Sequence, residues 1–180
     1  MKKIKYIVLS VLITILTLTL MIYALSNIYT TNKIVINDSV LEYKIPVYLR
    51  IHNFFNRHNN YKYIVKKINV NKNSKKEIII NTAMWVNQNI KKIPDDVDIV
   101  DSDPLAIVTR RLGEQYQFSD ILSVFFIYLD IEAYFFNHHS HQLTFFKIDN
   151  YWSVIDPYYG VYFINENDTF ASINDLKNGE

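Results

Sequence analysis

Arg111-Leu-Gly-Glu-Gln-Tyr-Gln-Phe-Ser-Asp-Ile-Leu122, with the apolar run that carries it to Leu129, decides how this 180-residue chain folds. Phe118, Ile121, Leu122, Phe125, Phe126 and Leu129 recur at helical spacing from a start near Gln115. So few polar residues interrupt them that this is predicted to be the central buried helix. After Asp130 the period changes to that of strands: Ile131–Phe136, His141–Ile148 and Tyr151–Ile155. Asp149-Asn150 joins the last two as a tight hairpin. A two-residue turn there sets Leu143 opposite Asp156 and His141 opposite Tyr158, so His141 and Asp156 share a face one diagonal step apart. Gly160 turns the chain into a further strand near Val161–Ile164, and the polar tail is predicted to be helical at Ile173–Leu176.

Upstream, Asp103-Pro104 fits an N-cap followed by proline at the first helical position, and Leu105, Ile107, Val108 and Leu112 continue that helix. Gly113 is the expected C-cap, because glycine takes positive φ cheaply. Asn73-Ser74 offers cap chemistry before a helix with Ile79, Ala83, Val86 and Ile90 on one face and Met84 and Trp85 on or beside it. Ile93-Pro94-Asp95-Asp96 stops that helix. Asp98, Asp101 and Asp103 follow without the glycine turn or terminal glutamate of a calcium loop, and are read as caps and solvated acids. Residues 33–47 alternate around Asn37-Asp38 as a short hairpin, and Val47–Val65, with irregular apolar spacing, reads as one or two short helices. His52 and His58, six apart, are expected at the surface.

At the N-terminus Lys2, Lys3 and Lys5 precede an uncharged stretch from Tyr6 to Asn32 with an apolar centre at Ile7–Leu25. About 20 helical residues cross the ~30 Å hydrocarbon layer, whereas a signal peptide's apolar core is only ~7–15 residues. An uncleaved single-pass anchor is therefore expected, with a signal peptide cleaved at Ala24-Leu25-Ser26 as the alternative. The lysines favour a cytoplasmic N-terminus and an extracytoplasmic C-terminal part, with Tyr23 and Tyr29 near the outer interface. The expected divisions are an anchor at 1–32, a connector at 33–74 and a domain at 75–180.

Composition narrows the chemistry. With 49% hydrophobic and 15% aromatic residues the chain can build a packed core, and a net charge of +1 gives no reason to expect nucleic acid. The lysine runs near Lys66 and Lys75 are read as solvated faces. There is no cysteine, which rules out disulfides, thiolate metal sites and thiol nucleophiles together.

The order of these parts resembles the transglutaminase-like superfamily, whose papain-like core sets a cysteine at the start of a central helix packed on an antiparallel sheet. The resemblance covers Ile78 to Ile164. It includes the helix with Trp85-Val86, the Ala106-Ile-Val108 helix, and Gly113-Glu-Gln-Tyr-Gln-Phe-Ser119 in place of the family's Gly-x-Cys-x-x-aromatic-small. Leu129-Asp-Ile-Glu-Ala133, His141, Trp152 and Asp156-Pro157 continue it. It implies an α+β fold with Gln115 at the nucleophile position, His141 at the general base and Asp156 at the residue that orients it. A thiolate needs the helix N-terminus and the imidazole to stabilise it, and the carboxylate to fix the tautomer. An amide is no nucleophile toward an acyl carbon, so the expected protein is an inactive, membrane-anchored binding or scaffolding module of the cell envelope. A peptide, a glycan or an envelope protein is the expected partner, and no cofactor is expected.

Alternatives stand beside this reading. Ser119, one turn after Gln115, is a substitute nucleophile only if the site is rebuilt. His139, His141 and Asp156 form a conceivable zinc set, with His138 facing away in a strand, and a hydrolase using His141 and Asp156 with a metal or water is the competing function. Trp152 and Tyr158 are the candidate ligand-binding aromatics, with core or rim packing as their other role. The His141-Asp156 pair itself is either functional or a buried hydrogen bond that persists because each partner satisfies the other.

Overall fold

The computed structural model describes residues 2–36, 39–94, 96–97, 103–138 and 141–178, which fall into two compact units, Met1–His58 and Asn59–Glu180. The first begins with helix α1 (Lys2–Ser26), long and apolar enough to cross a membrane, with its apolar window uncovered by protein. The threonines of α1 are satisfied internally: the hydroxyls of Thr14, Thr17 and Thr19 donate to backbone carbonyls three or four residues earlier. Strands β1 (Tyr29–Ile36) and β2 (Ser39–Pro46) pair antiparallel from Tyr29↔Pro46 to Ile36↔Ser39. The expected hairpin is present, while its Asn37-Asp38 turn lies outside the described residues. Val47 N–H donates to Ile28 C=O at 2.8 Å, so the chain returns to the end of α1 before it continues.

Helix α2 (Val47–Ile68) is a single helix of 22 residues, where one or two short ones were expected. It contains no glycine or proline to interrupt it, and its apolar spacing is irregular because only Tyr61 and Val65 are buried. Those two side chains belong to the core of the second unit.

In that unit Ser74 caps α3 (Lys75–Asn89), its hydroxyl accepting from Glu77 N–H at 3.1 Å. Past α3, β3 (Lys91–Lys92) precedes α4 (Pro104–Arg110), whose N-cap Asp103 accepts from Leu105 N–H at 2.9 Å. Asp98 and Asp101 lie outside the described residues. Strand β4 (Leu112–Gly113) then pairs parallel with β3. The helix end differs from expectation: the left-handed C-cap is Arg111 at φ 59°, and Gly113 sits in β4. What Gly113 supplies is room, since a Cβ there would lie 3.0 Å from Ile107 Cγ2 and 3.3 Å from Ile90 Cγ2.

Helix α5 (Gln115–Tyr128) is the buried centre. Its first turn is held by Gln117 Oε1, which accepts from Glu114 N–H at 2.9 Å. It packs on an antiparallel sheet of β5 (Ala133–His138), β6 (His141–Ile148), β7 (Tyr151–Asp156) and β8 (Val161–Tyr162), in that order. A short helix α6 (Ile173–Asn178) follows. Phe118, Ile121, Leu122, Phe125 and Phe126 of α5 meet Phe146, Ile148 and Ile155 of the sheet, all buried, with Phe126 edge-on to Phe146 at 5.6 Å. Each such side chain contributes about 1.5–3 kcal/mol by leaving water. The mixed α+β class is as expected from the change of period at Asp130.

Two predictions follow from packing. Gly113→Ala should destabilise the second unit by about 1–3 kcal/mol through overpacking against Ile107 and Ile90. Arg111→Gly, by contrast, should cost nothing or stabilise, because an L-residue in the left-handed region is held there at about 1–2 kcal/mol. Urea denaturation of the detergent-solubilised chain, followed by Trp85 and Trp152 fluorescence, compares the two. Separately, the half-buried Asp120 carboxyl has its pKa raised above the ordinary 3.8, first by burial and then by the Asp103 charge. Its proton is therefore bound more tightly in the fold than in the unfolded chain, and stability is lost as pH rises from 3.8 through the raised value. Asp120→Asn should raise the urea midpoint at pH 7 more than at pH 3.5 (about the lower end of the carboxylate range); equal gains at both would contradict this.

Candidate functional site

Gln115 is the first residue of α5, His141 the first of β6 and Asp156 the last of β7. Packing α5 on the sheet brings a helix start and two strand ends to one place. Thr144 pairs with Ile155, so the register runs on to Leu143 opposite Asp156 as the two-residue turn requires. Asp149 takes φ 52° in that turn.

The three side chains meet. Gln115 Nε2 donates to His141 Nδ1, and His141 Nε2 donates to Asp156 Oδ2 at 2.6 Å. This assigns the neutral imidazole the Nε2–H tautomer, because Nδ1 is the acceptor of the amide. Asp156 Oδ1 in turn accepts from the backbone N–H groups of Tyr158 and Tyr159, each at 3.1 Å. The carboxylate is thus held by three donors with its side chain 12% exposed, while the imidazole is 31% exposed. The site lies at the surface, with the exposed Tyr159 against the imidazole at 5.6 Å; Tyr116, next in the chain to Gln115, is also exposed.

Sequence reasoning did not single out Asn87. Asn87 of α3 donates to Pro157 C=O at 3.1 Å and Tyr158 C=O at 2.7 Å, and a Cβ on Gly160, at φ 68°, would lie 3.2 Å from Asn87 Cγ. Helix α3 thereby fixes the turn whose N–H groups hold Asp156. The only signal was the run Pro157-Tyr-Tyr-Gly160, a turn that leaves carbonyls for some side chain to satisfy.

Other candidates lie elsewhere. Ser119 is fully buried and its hydroxyl donates to Gln142 C=O at 2.9 Å, while its carbonyl accepts from Ser123 Oγ at 2.7 Å, so it serves the core. Trp152 is four residues back along β7 from Asp156, edge-on to Tyr134 at 5.0 Å with Lys147 over its ring at 5.9 Å. Tyr158 packs edge-on to Phe118 at 5.2 Å and to Tyr159 at 4.9 Å, which makes it a rim residue leaning on the core. His139 lies outside the described residues, and among the described residues no three His, Cys, Asp or Glu side chains converge as a metal site.

No family model matches the chain, and no curated protein matches it either. Among solved structures it is similar to a Cytophaga hutchinsonii protein described provisionally as a cysteine protease, at a TM-score of 0.50 and 16% identity over 57% of this chain. The chain spans 38% of that protein's length. The likeness is one of fold alone: a mixed α+β chain with a cysteine-protease-like structural neighbour.

Removing the anchor of the hydrogen-bond chain should cost more than removing its outer end. Asp156→Ala strands the imidazole N–H and two backbone N–H groups and should destabilise by about 2–3 kcal/mol, whereas Gln115→Ala should cost under about 1 kcal/mol. Parallel urea titrations decide, and equal losses would show that the chain is not anchored at Asp156.

Proposed function

We propose that this is a membrane-anchored, transglutaminase-like domain in which Gln115 occupies the nucleophile position, and that it binds a partner at the cell envelope without acyl transfer. The observation that carries the reading is the contact from Gln115 Nε2 to His141 Nδ1. A side chain at the first position of the buried helix touches the imidazole where a nucleophile would have to give up its proton. With glutamine there, the amide occupies the basic lone pair and Asp156 takes the opposite N–H, so neither ring nitrogen is left to activate a water or ligate a metal. That weighs against the competing hydrolase.

The exposed Tyr159 supports a binding role, because it offers flat amphipathic surface against a fixed hydrogen-bond chain. An extended peptide, a glycan or a loop of another envelope protein fits such a surface. Helix α1 serves as the anchor in this reading, with the three leading lysines on the cytoplasmic side and the second unit outside.

The chain's lack of cysteine makes the test clean. Gln115→Cys introduces a single thiol at Nδ1 of His141, and its alkylation at pH 7 should run at least about tenfold faster than that of a Gln88→Cys control on the exposed side of α3, since an adjacent imidazole favours the thiolate. Equal alkylation rates would refute Gln115 as the nucleophile position.

A further inference from the structure

In the first unit, the start of α2 is tied to the end of the membrane-length helix. Tyr29↔Pro46 closes the open end of the hairpin, and Val47 N–H reaches Ile28 C=O at 2.8 Å. Three strand residues and one to three helical turns beyond that closure lies a concavity of about 320 Å³ lined by Asn32, Ile45, Arg50, Asn53 and Arg57. Arg50, Asn53 and Arg57 stand three and four apart on α2 and so share one face, with Asn32 and Ile45 supplied by the hairpin. The cluster therefore begins within about 5–10 Å of the end of the apolar segment, the depth of the headgroup layer.

Charge and exposure point the same way. Helix α2 carries Arg50, Arg57, Lys62, Lys66 and Lys67 and no acidic residue. The hairpin's Glu42 is engaged by Lys33 at 2.6 Å. Tyr48, Ile51, Phe54 and Phe55 are 45%, 43%, 56% and 55% exposed, an apolar and aromatic surface in the first turns of a cationic helix. Aromatic side chains beside arginines are favoured where acyl chains give way to headgroups.

We propose that this concavity binds the phosphate of an anionic phospholipid from the leaflet in which α1 ends. The guanidinium groups of Arg50 and Arg57 contact the phosphate oxygens, the amides of Asn32 and Asn53 serve the glycerol hydroxyls, and Phe54 and Phe55 enter the acyl boundary. The inference rests on the anchor reading of α1 and is independent of the site at His141.

The test titrates the full chain, in zwitterionic detergent, with dihexanoylphosphatidylglycerol, dihexanoylphosphatidylcholine and inorganic phosphate by calorimetry. Saturable binding of the phosphatidylglycerol at one per chain is expected, weakened at least about tenfold in the Arg50→Gln/Arg57→Gln double variant and unchanged in Lys62→Gln/Lys66→Gln, which removes the same charge outside the concavity. Equal binding of the two lipids, or equal loss in both double variants, overturns the site. Inorganic phosphate binding as tightly as the lipid overturns the lipid assignment. Circular dichroism confirms that these exposed substitutions leave the helix intact. Alkaline extraction of native membranes reads the anchor separately: release of the unmodified chain refutes α1 as a membrane span whatever the calorimetry shows.

Discussion

Burial of one helix face against one sheet face governs the second unit. Phe118, Ile121, Leu122, Phe125 and Phe126 have nowhere to go except onto the strands that carry Phe146 and Ile155, and every one of them is buried. Once α5 lies there, its first residue must fall beside the ends of β6 and β7. The meeting of Gln115, His141 and Asp156 is thus a by-product of core packing, and it needs no separate long-range attraction to assemble. Local devices then sharpen it: Gln117 folds back onto the helix start, and Asn87 ties down the turn after Asp156.

The order of that hydrogen-bond chain says which residue is fixed and which adapts. Asp156 has three donors and little freedom, while Gln115 meets the outer nitrogen of the imidazole. A carboxamide has a donor and an acceptor on the same carbon, so a half-turn lets it face a neutral imidazole with its NH₂ or a protonated one with its carbonyl. The proposed loss of nucleophilic chemistry therefore leaves no stranded polar group. The fold likeness to a cysteine-protease-like structure is compatible with such a replacement, since the architecture does not depend on what the first residue of α5 can attack.

Much of this was legible because it was local. Ser74 and Asp103 cap the helices they precede, and a two-residue turn at Asp149-Asn150 sets the pairing of β6 with β7 and with it the approach of His141 to Asp156. What escaped was set by contacts distant in sequence. The β3–β4 pair joins two-residue segments about twenty positions apart, too short for any period to announce. Gly113 looked like a cap because glycine usually marks one, yet the crowding by Ile90 and Ile107 is invisible until the helices pack, and Arg111 takes the left-handed position instead. Asn87 escaped for the same reason, as its partners Pro157 and Tyr158 lie seventy residues on. Helix α2 escaped for the opposite one: nothing interrupts it, but too little of it is buried to give a periodic stripe.

The closed hairpin between α1 and α2 also has a mechanical consequence. Tension between α1 and the rest of the chain enters at Ile28 and Val47, which are hydrogen-bonded neighbours at the open end of the β1–β2 ladder. Load applied there peels the ladder one rung at a time instead of shearing all rungs together, so it yields at low force. Once peeled, the chain from Tyr29 to Pro46 extends to about 60 Å. The chain thus carries slack between α1 and α2, released by pulling and recovered when the strands zip again.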